Sequence, residues 1–172
     1  YEIDHLMSFG SMPVANGFLG KKQFKDEYFF EMKVAFCNQC KMFQLVNQPE
    51  PDQMFNDNYA FFSGTSQLMA VHFKEFANHV LDDYIKNGID PFVVEIGSND
   101  GIMLKNFSQK KIRHLGIEPS ANVAQVALSQ GVNTIVNFFD KTLAEKIVRE
   151  HGQADAFIAA NVMCHIPYIN SI

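Results

Sequence analysis

The sequence contains no tryptophan, only three cysteines and no long run of apolar residues. Without about 18 consecutive apolar residues, a membrane-spanning helix is not expected. The amino terminus has no basic segment followed by an apolar one, so a secretory signal peptide is not expected either. Three cysteines that include a single C-x-x-C pair do not resemble a secreted disulfide framework. These absences favour a cytoplasmic protein with no membrane partner.

Positive charge is also scarce, with 14 Lys and Arg against 19 Asp and Glu and a formal net charge of −5. Proteins that bind nucleic acids gain much of their affinity from Lys and Arg on phosphates. Because no basic stripe is present, we expect no nucleic-acid partner and favour a small-molecule substrate. Hydrophobic residues make up 47% of the chain and charged residues 19%, which is typical of a globular protein.

The amino-terminal part, residues 1–64, is rich in Gly, Pro, Asn and Phe and is expected to be largely irregular. Within it, alternating apolar residues predict a strand over residues 29–36. Cys37 and Cys40 follow at once, and then comes an apolar run over residues 42–46. A strand, a C-x-x-C turn and a second strand together form the pattern of a zinc knuckle.

The rest of the chain divides into a connecting helix over residues 65–88 and an α/β region over residues 89–172. Thr65 or Ser66 can cap that helix, and Gly88 can end it. Short strands then alternate with helices, which predicts a parallel sheet with helices on both faces. The predicted strands are 92–96, 115–118, 134–137 and 156–160, and the predicted helices are 101–107, 120–130 and 141–151.

Four strands do not complete a doubly wound sheet of this type, and the last strand would be left with one bare edge. We therefore expect about half of this α/β domain to lie outside the 172 residues. We also expect the 172 residues to be inactive alone.

A glycine turn between the first predicted α/β strand and its helix is the first functional signal. Its glycines, Gly97 and Gly101, are spaced as G-x-x-x-G, whereas a dinucleotide site usually has G-x-G-x-x-G. Glu95 lies before the first glycine of the turn, and Asp100 lies within the turn. Both carboxylates would repel a pyrophosphate. Carboxylates suit the ammonium and sulfonium groups of S-adenosylmethionine, so this cofactor is favoured.

Glu118 is the second signal, because it ends the next predicted strand 23 residues after Glu95. An acid about 20 residues beyond the turn is where a Rossmann fold holds ribose hydroxyls. The alternative is an ordinary tight turn with an exposed Glu, but both acids follow strands at the edge where open α/β sheets bind ligands.

Phe138 lines an adenine pocket or belongs to the core, and Asn161 follows the fourth strand at the ligand edge. The predicted cofactor-binding residues are Glu95, Gly97, Ser98, Asn99, Gly101, Glu118, Pro119, Phe138 and Asn161.

With these motifs in view, the sequence resembles the sugar C-methyltransferases that act on dTDP-linked 4-keto deoxysugars. The resemblance covers almost the whole chain. It rests on residues 10–16, 36–40, 44–45, 59–66, 72, 95–101, 116–120 and 161–167. It implies a class I methyltransferase fold, S-adenosylmethionine as methyl donor and a nucleotide-sugar substrate.

The resemblance also implies a structural Zn²⁺ held in part by the Cys37 and Cys40 thiolates. The family has a further C-x-x-C pair, which we expect upstream of this sequence, so two of the four ligands would come from outside these residues. The alternative is that the two cysteines are free thiols in a turn.

Two residues that match the family are candidates for the chemical step. Methylation at carbon requires removal of a proton next to a ketone, and His165 is either the base or a group that orients the sugar. The alternative for His165 is a structural, partly buried histidine. Tyr59 could donate to the developing enolate oxygen, or it could simply pack among the nearby phenylalanines.

Two other functions remain open on the sequence. One is an O-methyltransferase acting on another small molecule. The other is a non-catalytic module in which the zinc knuckle and an incomplete Rossmann-like half serve protein contacts.

Overall fold

The computed structural model describes residues 2–166 and 168–172 and divides the chain into two compact units. Unit 1 comprises Tyr1–Ala60 and unit 2 comprises Phe61–Ile172. Among the described residues, no helix has the length and apolar character needed to cross a membrane.

Unit 1 is built on a three-stranded antiparallel sheet with the order β1-β2-β3. The strands are β1 (Ile3–Pro13), β2 (Phe29–Cys37) and β3 (Phe43–Leu45). The predicted strand at 29–36 and the extended apolar segment after the C-x-x-C turn are therefore confirmed. A short helix, α1 (Pro51–Met54), follows the sheet.

Strand β1 contradicts the expectation that the first residues of the chain are irregular. It pairs with β2 from Ile3 opposite Cys37 to Pro13 opposite Phe29, with irregularities after His5 and after Ser8. Almost every residue of β1 is exposed. Because neither face of the strand is buried, its sequence carries no apolar alternation, and backbone hydrogen bonds to β2 hold it in place.

Unit 2 contains a four-stranded parallel sheet with the order β6-β5-β4-β7. This arrangement confirms the predicted α/β fold. The strands are β4 (Phe92–Ile96), β5 (Arg113–Ile117), β6 (Thr134–Ile135) and β7 (Ala156–Ile158). The helices are α2 (Gln67–His79), α3 (Lys105–Ser108), α4 (Ala121–Ser129) and α5 (Lys141–His151).

Both faces of this sheet are covered, as the alternation along β4 shows. Val93 packs into a cluster with Phe73 of α2 and Phe107 of α3. Phe92, Val94 and Ile96 point the other way, into a cluster that contains Leu143 and Ile147 of α5. Since successive strand residues face opposite sides, a doubly covered parallel strand is apolar on both faces, and β4 has a single polar residue, Glu95, near its end.

The strand order places β4 at the point where the winding of the sheet reverses. From β4 the chain moves through β5 to β6 on one side, and then crosses back to β7 on the other side of β4. Open α/β sheets bind ligands beyond the carboxyl ends of the strands at such a point. The residues after β4, β5 and β7 therefore meet at the edge where a ligand is expected.

Two predicted helices differ from the observed ones. The helix predicted at 101–107 begins only at Lys105, because Gly101 has a φ of +80°, which is outside right-handed helical geometry. The long helix predicted at 65–88 starts at Gln67, with the Ser66 hydroxyl accepting from the Met69 N–H at 3.3 Å. It then continues as a π-helix over Val80–Ile85.

Candidate functional site

The glycine turn lies directly after β4 and is held by the end of β5. Gly97 and Ser98 both donate their N–H groups to the Ile117 carbonyl oxygen, at 2.8 and 3.2 Å. Gly97 has a φ of +61°, and a Cβ at this position would collide with Cγ2 of Val162. Glycine is required here both for its left-handed backbone and for the close approach of the segment that follows β7.

Glu118 is buried at the end of β5, and each of its carboxylate oxygens accepts a backbone hydrogen bond. Oε2 accepts from the Asn99 N–H at 3.0 Å, and Oε1 accepts from the Ser120 N–H at 2.9 Å. A carboxylate offers about four acceptor positions. The two backbone bonds use two of those positions and fix the orientation of the side chain.

The environment of Glu118 pulls its pKa in both directions. Burial raises the pKa, and the backbone hydrogen bonds from Ser120 and Asn99 lower it, with a net rise. Hydrogen bonds from N–H groups favour the charged form, whereas loss of water disfavours it. The orientation of the Glu118 side chain is therefore fixed. A ligand that donates hydrogen bonds to its carboxylate would offset the free-energy cost of burying the charge.

Glu95, near the end of β4, is only 3% exposed. Its Oε2 atom has no hydrogen-bond partner among the residues that the structure describes. Burial, and then the negative charge of Glu118, raise the pKa of Glu95 well above its ordinary value. A buried acceptor without a partner is costly in a ligand-free protein, so a donor or a cation from a ligand would stabilise this position.

Substitution Glu95→Gln is expected to stabilise the ligand-free full-length protein, increasingly so as the pH rises. The raised pKa means that the folded state binds this proton more tightly than the unfolded state. The corresponding stability is present below the ordinary value near 4.5 and is lost as the pH rises through the raised pKa. Urea unfolding of variant and wild type between pH 4 and pH 8 measures the difference.

Glu145→Gln is the matched control for that measurement, because Glu145 is an exposed residue of α5. It measures the effect of removing one exposed carboxylate, and the gain from Glu95→Gln at the upper end of the pH range should exceed that effect. A Glu95→Gln variant whose advantage shrinks as the pH rises would contradict the assignment of a raised pKa to Glu95.

Asn99 and Asp100 make contacts that sequence reasoning missed. The Asn99 side chain accepts from the Ser63 N–H at 2.9 Å and donates to the Phe61 carbonyl oxygen at 3.0 Å. Asp100 Oδ2 accepts from the Gly64 N–H at 2.7 Å. Part of the Asp100 carboxylate, which was interpreted as a partner for a cationic ligand, is therefore committed to the chain itself.

The remaining predicted cofactor residues lie at the same carboxyl-terminal edge of the sheet but differ in burial. Pro119 is half-buried after β5, and Phe138 is 42% exposed after β6. Asn161 is exposed, has a φ of +55° and directly precedes Val162, the residue that approaches Gly97. The adenine role of Phe138 and the ligand role of Asn161 stay predictions.

Cys37 and Cys40 lie in unit 1, at the turn between β2 and β3. The Lys41 N–H donates to the Cys37 carbonyl oxygen at 2.8 Å and closes the turn. The backbone N–H and then the thiol of Cys40 lower the pKa of the Cys37 thiol, which favours the thiolate form that metals bind. In the described part of the chain, no three His, Cys, Asp or Glu side chains gather as a metal site. The two sulfurs suit zinc but make only half of a tetrahedral set.

The two predicted catalytic residues belong to different units. Tyr59 is a half-buried residue of unit 1, and its ring centroid lies 5.5 Å from that of Phe55. His165 is exposed in unit 2, in a 3₁₀ turn whose His165 N–H donates to the Val162 carbonyl oxygen at 2.8 Å. Pro167, the last residue of the predicted 161–167 motif, lies outside the described residues.

Comparisons with known proteins bear on both units. Residues 2–55 match a family described as "Putative zinc binding domain". Over 168 residues the chain is 31% identical to the C-methyltransferase NovU of Streptomyces niveus, covering 97% of this chain and 40% of that protein. The chain thus spans less than half the length of this curated relative.

Two solved structures show a weaker likeness. They are magnesium protoporphyrin IX methyltransferase of Synechocystis PCC 6803 with bound SAM and the same enzyme with bound SAH, each with a TM-score of 0.43. The first is 15% identical and the match covers 60% of this chain and 51% of that one; the second is 14% identical, with 61% and 51% covered.

Proposed function

We propose that this chain is a member of the SAM-dependent sugar C-methyltransferase family and belongs to an enzyme that methylates a carbon of a nucleotide-linked keto-deoxysugar. The observation that carries the proposal is the buried pair of carboxylates, Glu95 and Glu118, beside the glycine turn. Two acids at this edge favour a cationic nucleoside such as S-adenosylmethionine over a pyrophosphate. A cytoplasmic location is part of the same proposal.

Within this proposal, residues after all four strands of the parallel sheet hold the methyl donor. Glu118 accepts from the ribose hydroxyls, and the turn from Gly97 to Gly101 receives the amino-acid end near Glu95. Pro119 and Phe138 border the adenine, and Asn161 lies nearest the methyl group. The donor supplies an electrophilic methyl group on a sulfonium.

The chemical step is carbon alkylation through an enolate of the sugar. A base takes the proton from the carbon next to the ketone, and His165 is either that base or the group that orients the sugar. The new carbon–carbon bond forms as the sulfur–methyl bond breaks, and the sulfur keeps the electron pair. Tyr59 donates a hydrogen bond to the enolate oxygen in this proposal.

Zinc has a structural role in this proposal. The Cys37 and Cys40 thiolates supply two ligands, and the remaining two come from a second C-x-x-C pair of the whole protein. Such a site would stabilise unit 1 rather than take part in methyl transfer.

A labelling experiment with the full-length protein tests the reaction. Incubation with a dTDP-linked 4-keto deoxysugar in D₂O, without methyl donor, should exchange hydrogen at the carbon next to the ketone. Addition of S-adenosylmethionine should then transfer the methyl group to that carbon. Methyl transfer without any such exchange would favour an O-methyltransferase, and absence of donor binding would favour a non-catalytic interaction module.

A further inference from the structure

A short segment of unit 2, residues 61–64, lies against the glycine turn and is called the strap here. Asn99 holds it with both ends of its side-chain amide, accepting from Ser63 and donating to the Phe61 carbonyl oxygen. These two bonds join residues 36 and 38 positions apart in the chain. Asn99 is 9% exposed, so water competes little for its amide.

Asp100 adds a charge-assisted hydrogen bond to the same strap. Its Oδ2 atom accepts from the Gly64 N–H at 2.7 Å, and the side chain is 4% exposed. A Cβ at residue 64 would lie 2.8 Å from that oxygen, closer than real Cβ atoms come. A side chain at position 64 would therefore displace the Asp100 carboxylate from its place against the backbone. Charge-assisted bonds of this length are stronger than neutral ones.

The turn that carries these two side chains is also the turn that orients Glu118. The Asn99 backbone N–H donates to Glu118 Oε2, and Asn99 holds a left-handed φ of +50°. Asparagine adopts this conformation more readily than most non-glycine residues, and contacts around its side chain fix it there. The strap supplies those contacts. The position of the strap and the orientation of the Glu118 carboxylate are therefore linked through Asn99.

An open pocket lies beside the contact between the strap and the turn. Its volume is about 260 Å³, and its lining includes Phe62, Gly64 and Asp100. The second carboxylate oxygen of Asp100, Oδ1, is buried and has no hydrogen-bond partner among the described residues. Asp100 is thus directed into the contact with the strap rather than toward open solvent.

We propose that Asn99 and Asp100 are positioning residues that dock the strap onto the glycine turn and thereby set the affinity for S-adenosylmethionine. The inference rests on the proposed function, because it assigns the turn to that cofactor. It adds a role for residues 61–64, which no motif for cofactor binding includes. The docked strap keeps Asn99 in its left-handed conformation and so keeps its N–H on Glu118.

Asp100→Ala and Asp100→Asn in the full-length protein separate positioning from direct contact with the ligand. Without ligand, Asp100→Ala should speed amide exchange of the strap by roughly tenfold, as loss of a charged hydrogen bond implies. It should also weaken S-adenosylhomocysteine binding by roughly tenfold in calorimetry, if strap and turn are coupled. Asp100→Asn keeps a neutral oxygen for the Gly64 N–H and should recover part of both properties.

Gly64→Ala tests the same contact from the strap side and should reproduce the Asp100→Ala effects. Gly20→Ala is its matched control, because the nearest atom to a Cβ there is the end of the Gln23 side chain at 3.4 Å. Asp82→Ala removes an exposed aspartate and controls for the loss of charge. Thermal unfolding of each variant establishes that it is folded.

Four outcomes would count against the proposal. Unchanged exchange of the strap in Asp100→Ala would remove the docking role, and faster exchange with unchanged affinity would remove the coupling. An Asp100→Asn variant with a protected strap but the weak affinity of Asp100→Ala would show that the negative charge contacts the ligand. If wild type fails to bind S-adenosylhomocysteine, both the proposed function and the coupling between strap and cofactor affinity are wrong. Amide exchange of the strap without ligand then decides by itself whether Asp100 docks the strap.

Discussion

Replacing Glu118 with alanine in the full-length protein is expected to weaken the binding of S-adenosylhomocysteine by about 100-fold. The carboxylate retains two acceptor positions beyond its bonds to Asn99 and Ser120, which matches the two hydroxyls of a ribose. Each hydrogen bond to a charged group contributes about 1.5 to 3 kcal/mol, so a loss of about 100-fold is the lower end of what removal of both would give. Isothermal titration calorimetry measures the two affinities.

Glu118→Ala also leaves two buried N–H groups without their acceptor, so its stability must be measured beside its affinity. Glu118→Gln keeps one oxygen for one of those groups, and we expect it to bind with an affinity between that of wild type and the alanine variant. Glu145→Ala, on the exposed surface of α5, is the matched control and should bind normally. A folded Glu118→Ala protein with wild-type affinity would remove Glu118 from the cofactor site.

His165→Asn in the full-length protein is expected to lower kcat by about 10²-fold to 10⁴-fold, the usual contribution of a general base. Asparagine approximates the shape of the imidazole but cannot take a proton at neutral pH. The measurements are steady-state turnover and, separately, donor-free hydrogen exchange at the sugar carbon next to the ketone. S-adenosylhomocysteine affinity should stay unchanged, because the histidine acts on the acceptor.

Loss of both turnover and donor-free exchange would identify His165 as the base. Retained exchange with a raised KM for the sugar would identify it as the group that orients the substrate. His79→Asn, a substitution on the exposed surface of α2, is the matched control. Normal kcat and KM in His165→Asn would exclude this histidine from the reaction.

The α/β unit could be predicted from local patterns, as β4 and the turn after it illustrate. A short strand with four apolar residues in five, followed by a glycine turn and a helix, is compatible with few arrangements other than a covered parallel sheet. The acids Glu95 and Glu118 were recognised because their positions at strand ends follow directly from that alternation. The structure then placed both of them in the interior beside the turn.

The errors have an equally specific origin. Strand β1 was missed because its exposed residues lack the alternation that burial imposes, and only its partner β2 defines it. The helix after the glycine turn was predicted to begin four residues too early, because the sequence does not report the positive φ of Gly101. In both cases a contact or a backbone conformation decided the structure, and apolar periodicity did not.

The sequence by itself determined the order in which strands and helices follow one another along the chain in unit 2. It also determined the position of the glycine turn and the identity of the acids beside it. These features depend on apolar periodicity and on residues adjacent in the chain. Only the tertiary structure decided that Asn99 and Asp100 hold residues 61–64 and that Asn99 in turn orients Glu118. Hydrogen bonds between residues that far apart leave no periodic trace, because they exist only once folding has brought the strap and the turn together.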